Sequence, residues 1–368
     1  MKKAYIPCKL PPETVEWAAH ISLIAQANAA VARYDGILET MVNPGLLLSP
    51  LTTQEAVLSS RIEGTQATLE EVLEFEAEPG RQIDPSRHAD IQEIINYQTA
   101  INRAVELLEK RPSCLNLILE LHSILMDSVR GANKARGQFR KSQNWIGPAG
   151  CSIEEATFIP PAPDALMAAL DDWGKYIHSE EKDRLVQLAI VKAQFELIHP
   201  FLDGNGRIGR MLVPLFLFEK KVLSRPMFYL SAYLESNRAQ YYQALNAISE
   251  QDDWNGWIRF FLTAVIEQAK ENIKKARAIL NLYEKMKQEV PVVTRSQYAV
   301  QAIDSLFRRP IFRTTDFITD SKIPKFTAFR ILNELERKGV LNVLRESKGR
   351  RAAILMFNEL IEITENIV

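Results

Sequence analysis

The sequence predicts a mainly α-helical protein with a small β component. Nearly every long segment spaces its apolar residues at helical intervals, whereas strand-like alternation is confined to residues 139–160 and the C-terminal part of the chain. The polar and charged stretch 76–88 predicts an exposed loop. The predicted helices cover residues 12–34, 51–60, 90–109, 115–129, 164–178, 184–198, 207–220, 237–249, 254–275 and 275–289.

Composition limits the classes of protein that remain. A chain of 368 residues is long enough for about two or three domains. Its net charge of −1 gives no overall attraction to nucleic acid or to a membrane surface. Cys8, Cys114 and Cys151 are too few and too dispersed for a disulfide framework, which favours a reducing compartment. No apolar run approaches about 18 residues, so we expect a cytoplasmic protein without a membrane partner.

The most informative stretch is residues 199–210, HPFLDGNGRIGR. Pro200 disfavours a helical conformation for His199, so the predicted helix 184–198 must end there. Gly204 and Gly206 allow a tight turn whose backbone N–H groups point into one concavity, which favours a bound anion. The helix predicted from Arg207 onward places the positive end of its dipole at the same point.

Four side chains complete this predicted phosphate site. Arg207 and Arg210 are three residues apart on one helix face, where both guanidinium groups can hold phosphate oxygens. Asp203 is suited to bind Mg²⁺ between those phosphates, and His199 to accept a proton from an attacking hydroxyl. The combination predicts a polyphosphate-binding catalytic site.

The same stretch matches the pattern HxFx(D/E)GNGRxxR at every specified position, and so resembles the signature of the Fic family. Residues 137–140 and 158–161 are similar to the family's flap, and residues 211–261 to the rest of its core. The resemblance covers roughly residues 50–270. It implies a mainly α fold: a Fic-type helical core with a small β-hairpin flap.

The activity that this resemblance implies is protein AMPylation, the transfer of AMP from Mg-ATP to a Ser, Thr or Tyr hydroxyl of a target protein. By motif position, His199 is the base, Asp203 the Mg²⁺ ligand, and Arg207 and Arg210 the phosphate clamps. Gly204, Asn205 and Gly206 form the phosphate cradle. Phe201 is expected to anchor the loop in the core. Other donors stay open, including a uridine or phosphocholine nucleotide, or ATP as a phosphate donor.

A second constellation concerns control. Residues 59–64, SSRIEG, match the family's inhibitory pattern (S/T)xxxE(G/N). Ser59 and Glu63 are four residues apart on one helix face, and Gly64 fits the position just after the helix. The resemblance implies that Glu63 pairs with Arg210 and blocks productive ATP binding. It also leaves open auto-AMPylation, and a reverse deAMPylation in which Glu63 aligns a water.

The nucleoside and the target protein are expected at two further places. Tyr241, Tyr242 and Leu245 lie on the predicted helix 237–248, and aromatic rings there can flank a purine. Ser249 stands where some relatives carry Asn, so a direct hydrogen bond to the base from that position is in doubt. The flap residues Phe158 and Ile159 are expected to hold the target segment by strand-like pairing.

The last eighty residues predict a winged-helix-like domain. A helix Lys325–Lys338 follows a helical turn, and Val340–Arg345 and Ala352–Phe357 alternate as a hairpin. Residues 290–353 contain thirteen Lys and Arg against six Asp and Glu. That excess suits contact with DNA phosphates, and a protein-interaction or dimerisation role stays open.

Together these features predict three domains: an N-terminal helical region with the inhibitory helix (residues 1–110), a catalytic core (111–289) and the winged-helix-like domain (290–368). The leading hypothesis is an autoinhibited protein adenylyltransferase that forms a homodimer. The alternative is a DNA-binding transcriptional regulator whose core senses nucleotide without catalysis.

Overall fold

The computed structural model describes residues 3–128, 134–148, 150–349 and 351–365. Within these ranges the chain is mainly helical, with one small antiparallel sheet, and no helix is long and apolar enough to cross a membrane. The helices are α1 (Trp17–Thr40), α2 (Pro44–Leu47), α3 (Ser49–Ile62), α4 (Leu69–Ala77), α5 (Pro85–Leu108), α6 (Leu115–Leu125), α7 (Leu166–His178), α8 (Arg184–Ile198), α9 (Asn205–Glu219), α10 (Ser231–Ser236), α11 (Arg238–Gln251), α12 (Trp254–Thr294), α13 (Ala299–Arg308), α14 (Thr314–Ser321), α15 (Lys325–Arg337) and α16 (Asn358–Glu365). The strands are β1 (Ile311–Arg313), β2 (Asn342–Arg345) and β3 (Ile354–Met356).

The chain divides into two compact units. Unit 1 consists of Met1–Asp35, Leu58–Gly64 and Ile95–Lys270, and unit 2 of Gly36–Val57, Thr65–Ile94 and Glu271–Val368. The last turn of α3 therefore belongs to unit 1, while the residues on both sides of it along the chain belong to unit 2. The domain boundaries predicted after residues 110 and 289 stay predictions.

Helix α8 forms the centre of unit 1, because thirteen of its fifteen residues are buried. It packs against α7, α9 and α11. Asp183 begins the helix, since its carboxylate accepts hydrogen bonds from the backbone N–H groups of Leu185 and Val186, both at 2.9 Å. The bounds predicted from sequence, 184–198, are confirmed. A helix buried on all sides fixes the position of whatever follows its C-terminus.

Several predicted boundaries were wrong. Helix α9 begins at Asn205 rather than at residue 207, because the chain already turns at Gly204. Helix α12 is one continuous helix where two were predicted, since no glycine or proline interrupts residues 271–290. The loop predicted over residues 76–88 is shorter. Its first two residues belong to α4, and α5 begins at Pro85.

The sequence did not reveal α4 or β1. Helix α4 begins with a capping box in which the Thr68 hydroxyl accepts from the Glu71 N–H, and the Glu71 carboxylate accepts from the Thr68 N–H. Strand β1 has only three residues, too short for its alternation to be recognised. Its partner strand lies more than forty residues away in the chain. Both elements are part of unit 2.

Unit 2 contains the predicted winged-helix-like arrangement. The three strands form an antiparallel sheet in the order β1-β3-β2, and the predicted C-terminal hairpin is confirmed as β2 and β3. Arg350, in the predicted hairpin turn, lies outside the described residues. Helix α15 buries Ala328, Ile331, Leu332 and Leu335 and exposes its opposite face.

Helix α4 covers part of this sheet. Leu69, Leu73 and Ala77 pack with residues of β1 and β3 in one apolar cluster. Next to this cluster, Glu78 accepts hydrogen bonds from Arg345 and, at 3.0 Å, from Arg351. The hydrogen bond from Arg345 lowers the pKa of Glu78. Two arginines of the predicted DNA-contacting hairpin are thus ion-paired inside unit 2.

A matched pair of substitutions tests the central position of α8. Ile190, on α8, is fully buried, whereas Ile21, on α1, is 65% exposed. We expect Ile190→Ala to lower the free energy of unfolding by about 2–5 kcal/mol, because it leaves a cavity. Ile21→Ala should change it by less than about 0.5 kcal/mol. Urea unfolding followed by circular dichroism measures both. Equal effects would contradict the description of unit 1.

Candidate functional site

The loop between α8 and α9 turns sharply at His199. This residue has φ 49° and ψ 61°, in the left-handed region that a non-glycine residue seldom adopts. Arg140 holds the turn. Its Nε donates to the His199 carbonyl at 2.9 Å, and its Nη2 to the Pro161 carbonyl at 2.6 Å. Arg140 is 3% exposed, so this backbone clamp is buried. No sequence pattern indicated that role of Arg140.

The imidazole of His199 has a defined tautomer. Its Nδ1 lies 3.2 Å from the carbonyl oxygen of Glu196, which can only accept a hydrogen bond, so Nδ1 carries the proton. Burial lowers the pKa of His199, although the Glu196 carbonyl opposes that shift. A neutral imidazole with Nδ1 protonated keeps its Nε2 lone pair available. This is the protonation state that a general base requires.

His122, a buried residue of α6, supports the same loop. Its ring stacks on Phe201 with centroids 3.7 Å apart and planes 4° from parallel. Its Nδ1 accepts from the Gly137 N–H at 3.0 Å, so Nε2 is the protonated nitrogen and donates to the Asp203 carbonyl at 3.0 Å. Burial lowers the pKa of His122 to about 4. Phe201 is fully buried, as its predicted anchoring role requires.

Asn205 also fixes this loop. Its Nδ2 donates to the Phe201 carbonyl and its Oδ1 accepts from the Phe201 N–H, both at 2.8 Å. Both polar ends of the side chain therefore hold the backbone of the loop. Gly204 precedes it with φ 82° and caps the start of α9. The cradle role predicted for Gly204–Gly206 stays a prediction.

Asp203 offers oxygen ligands that suit magnesium. Its Oδ1 accepts from the Gly204 N–H at 2.6 Å and from Arg207 Nη2 at 3.3 Å, and its side chain is 43% exposed. Mg²⁺ is usually held by one or two carboxylates together with substrate phosphates. Within the described ranges, no group of three or more His, Cys, Asp or Glu side chains could hold a metal ion. Asp203 therefore fits a cation that also binds phosphate.

The guanidinium of Arg210 is buried beside the end of α3. Its Nη2 donates to Glu63 Oε1 at 2.6 Å and to the Ser59 carbonyl at 2.9 Å, and its Nε donates to Ser59 Oγ at 2.8 Å. Burial raises the pKa of Glu63, but Arg210 more than offsets this, so the pKa lies below its usual value. The structure thus brings Ser59 and Glu63 of the inhibitory pattern together with Arg210, the arginine expected to pair with Glu63.

The end of α3 is held in place by its own backbone and by α11. Gly64 has φ 108°, as expected for the residue after a helix. Arg238 Nη2 donates to the Ile62 carbonyl at 2.6 Å and places a positive charge at the helix C-terminus. A side chain at Gly206 would collide with Glu63 Oε1. The Glu63 carboxylate therefore fits against α9 only because residue 206 is glycine.

These residues surround a cavity of about 540 Å³ in unit 1. Of the residues predicted for the site, those lining it are Glu63, Phe158, His199, Gly206, Arg210, Tyr241, Tyr242 and Leu245. Those not among the lining residues are Ser59, Gly64, Ile159, Asp203, Gly204, Asn205 and Arg207. The sequence missed eight of the lining residues, among them Trp145, Glu196, Arg238 and Asn246. These four do not belong to a recognisable sequence pattern, because they come from three separate parts of the chain.

On α11, Tyr242 and Leu245 face the cavity, with Tyr242 40% exposed. The neighbouring Tyr241 is almost fully buried, and its hydroxyl is hydrogen-bonded to Glu196, so it is not a free stacking surface. Ser249 donates to the Asn246 carbonyl within its own helix. A base bound here would therefore meet Tyr242, Leu245 and the Asn246 amide.

The predicted flap hairpin contains a single antiparallel bridge, between Ile146 and Phe158. The Phe158 N–H donates to Ile146 at 3.0 Å, and the Phe158 carbonyl accepts from Ile146 at 2.8 Å. The Ile159 carbonyl accepts from the Tyr5 N–H at 2.8 Å. These backbone groups are already paired within the chain. Pairing of the flap with a target segment stays a prediction.

The helical fold and its histidine-led loop define the class of protein: a mainly helical protein with a Fic fold. The chain belongs to the Fic/DOC family. The model described as "Fic/DOC family N-terminal" matches residues 21–106, and the model described as "Fic/DOC family" matches residues 112–217.

Two curated relatives and one solved structure show how far the similarity extends. "Protein adenylyltransferase Fic" of Drosophila grimshawi is 29% identical, and that of Drosophila mojavensis 30%, each over 52% of this chain. The match spans only 37% and 35% of those relatives, about a third of their length. A Fic family protein from Desulfovibrio desulfuricans G20 superimposes with a TM-score of 0.62 at 21% identity, covering 94% of this chain and 98% of the other. That likeness concerns the fold.

The buried His122 predicts a pH dependence of stability. Its pKa is about 4 in the folded protein and about 6.5 when unfolded, so the unfolded chain binds more protons between these values. The neutral state of His122 therefore contributes roughly 3 kcal/mol to the free energy of unfolding. This contribution is fully present above pH 6.5 and is lost as the pH falls to 4. The amide of His122→Gln can make both hydrogen bonds without titrating.

We therefore expect the loss of unfolding free energy between pH 6.5 and pH 4 to be smaller in His122→Gln than in the wild type. Urea unfolding at several pH values measures the difference between the two proteins. Identical pH profiles would show that His122 does not remain neutral in the folded state.

Proposed function

We propose that this protein is an autoinhibited protein adenylyltransferase, which transfers AMP from Mg-ATP to a Ser, Thr or Tyr hydroxyl of a target protein. The main support is one cavity lined by His199, Gly206, Arg210 and Glu63. A proton acceptor, a phosphate-binding helix start and an arginine meet there. The names of the curated relatives support the same activity.

His199 acts on the attacking group. Its Nε2 accepts the proton of the target hydroxyl as the hydroxyl oxygen bonds to the α-phosphorus of ATP. The bond from the α-phosphorus to the bridging oxygen breaks, and pyrophosphate leaves with those electrons. The Glu196 carbonyl keeps Nδ1 protonated throughout, and so holds the ring in the tautomer that accepts at Nε2.

The start of α9 stabilises the phosphates. The backbone N–H groups at the helix N-terminus and the guanidinium groups of Arg207 and Arg210 offset the negative charge that develops on the leaving pyrophosphate. Asp203 would hold Mg²⁺, which would supply further positive charge to the phosphates. Because His122, Phe201 and Asn205 fix the loop, these groups need little rearrangement when the substrate binds.

Glu63 is the brake in this proposal. It occupies Arg210 with a 2.6 Å ion pair, and its carboxylate lies where phosphate oxygens would otherwise bind the same guanidinium. The Arg210 side chain is 1% exposed, so it cannot turn to water when it loses a partner. Glu63 and a productively bound γ-phosphate therefore compete for one buried positive charge.

Other assignments stay predictions. The residues that face the phosphates do not distinguish ATP from another nucleoside triphosphate. Hydrolytic reversal, with Glu63 aligning a water, would use the same residues. DNA contact through residues 290–353 has less free positive charge than the sequence suggested, since Arg345 and Arg351 pair with Glu78. The homodimer, the target protein and the cytoplasmic location are likewise predictions.

Replacement of Glu63 tests the brake. We expect Glu63→Gly, incubated with Mg-ATP, to gain the mass of one AMP unit by auto-modification, on the order of 100-fold faster than wild type, because Glu63 no longer competes with phosphate for the buried Arg210. Intact-protein mass spectrometry reads the product. Glu63→Gln keeps the shape of the side chain without its charge and should give an intermediate rate.

The mass gained also separates the alternative chemistries. A phosphate-sized gain would replace AMP transfer by phosphotransfer. Equal modification of wild type and Glu63→Gly would rule out Glu63 as an inhibitor. If neither protein is modified, and the wild type hydrolyses an AMPylated peptide whereas Glu63→Gly does not, the reverse reaction is the activity.

Replacement of His199 tests the base. In the Glu63→Gly background, His199→Ala should lower the rate of AMP transfer by about 10²- to 10⁴-fold, because the attacking hydroxyl loses its proton acceptor. ATP affinity, measured by isothermal titration calorimetry, should stay within about threefold, since the phosphates are held by α9. An unchanged transfer rate would refute the mechanism.

A further inference from the structure

Three ionisable side chains form a buried cluster beside the cavity and have no part in the mechanism above. Lys192 Nζ donates to Glu196 Oε1 at 2.6 Å and to the Tyr241 hydroxyl at 2.9 Å. The Tyr241 hydroxyl donates to the Glu196 carboxylate, 2.7 Å from Oε1 and 2.6 Å from Oε2. Two of the three, Glu196 and Tyr241, line the cavity.

The cluster fixes the Glu196 carboxylate. The Lys192 side chain is fully buried, and its ammonium lies 4.6 Å from the centroid of the Tyr241 ring. Burial raises the pKa of Tyr241 far above its usual value, so its hydroxyl keeps its proton and donates it. Gly209 leaves room for the carboxylate, since a Cβ there would lie 2.8 Å from Glu196 Oε1.

The Glu196 carboxylate can accept hydrogen bonds from a molecule in the cavity but cannot donate one. A carboxylate has about four lone-pair sites. Lys192 and Tyr241 use part of this capacity, which leaves room for another hydrogen bond. The Glu196 side chain is 10% exposed and belongs to the cavity wall. A phosphate oxygen or a base carbonyl would be repelled there, whereas a hydroxyl or an amino group would be bound.

The position of Glu196 indicates which hydrogen-bond donor group of a bound nucleotide can reach it. It lies one helical turn before His199, and its own carbonyl oxygen binds His199 Nδ1. In any ribonucleoside triphosphate the ribose is attached directly to the α-phosphate, which is attacked by the hydroxyl that His199 deprotonates. The base is expected beside Tyr242 and Leu245, on α11. The ribose is therefore the part of the nucleotide that reaches Glu196.

We propose that Glu196, held by Lys192 and Tyr241, accepts a hydrogen bond from a ribose hydroxyl of the donor nucleotide and makes the site specific for ribonucleotides. This inference rests on the proposed nucleotide-binding function of the same cavity. It assigns to the buried cluster a role in specificity in addition to its role in packing α8.

The test is isothermal titration calorimetry with ATP, 2′-deoxyATP and 3′-deoxyATP, each with Mg²⁺, on the Glu63→Gly protein. We expect one of the deoxy nucleotides to bind about 10- to 100-fold more weakly than ATP, the range for a hydrogen bond to a charged group. In Lys192→Met/Glu196→Leu, which removes both charges and roughly conserves volume, ATP should bind as weakly as that analogue.

Two further variants serve as controls. Tyr241→Phe retains Glu196 and the ring but removes one of the two groups that hold the carboxylate, so discrimination against the deoxy nucleotide should weaken without being lost. Glu196→Gln retains an uncharged acceptor with nearly the same shape, and should reduce the discrimination to about threefold. This variant keeps the test decisive if the double variant does not fold, which circular dichroism would show.

The outcomes are distinct. Equal affinity for all three nucleotides in the parent protein, or discrimination that survives in both the double variant and Glu196→Gln, overturns the inference while leaving the proposed function intact. Weaker binding of ITP than of ATP that depends on Glu196, with no effect of either deoxy sugar, would show that the carboxylate reads the base instead. Failure of the parent to bind ATP at all would refute the proposed function, and the inference with it.

Discussion

The burial of Arg210 constrains the whole candidate site. A guanidinium keeps its charge at any physiological pH, and this one is 2% exposed, so it must have acceptors inside the protein. Ser59 and Glu63 provide them here. Removing one partner of such a pair costs about 3–5 kcal/mol when nothing replaces it. Phosphate oxygens are suitable replacements, which is why an inhibitory contact and a substrate contact can share one arginine.

The loop before α9 holds His199 in a left-handed backbone conformation, and three side chains stabilise it. Arg140 binds the carbonyl of His199, Asn205 binds both backbone groups of Phe201, and His122 supports Phe201 from below. None of these supporting side chains lines the cavity. They fix the loop so that the imidazole, the Asp203 carboxylate and the helix N-terminus keep a constant spacing, which catalysis by positioning requires.

Some charged residues of this protein are paired with partners that a local count of the sequence does not include. Lys192 and Glu196 neutralise each other inside the core, and Glu78 binds two arginines of the C-terminal hairpin. Residues 290–353 contain thirteen basic and six acidic residues, and Glu78, more than 200 residues earlier in the chain, offsets one of the excess positive charges. Local charge counts therefore overestimate the positive surface that is available to DNA.

The sequence alone determined the helical class, the bounds of α8, the turn at His199 and the inhibitory pattern, because each follows from local backbone preference or from residues at fixed spacing. Only the tertiary structure decided which side chains meet. Glu63 reaches Arg210 across 147 residues, Tyr241 reaches Glu196 across 45, and Arg140 reaches His199 across 59. Such contacts depend on how helices pack, and packing is set by the shape of the entire core, which short-range periodicity does not encode.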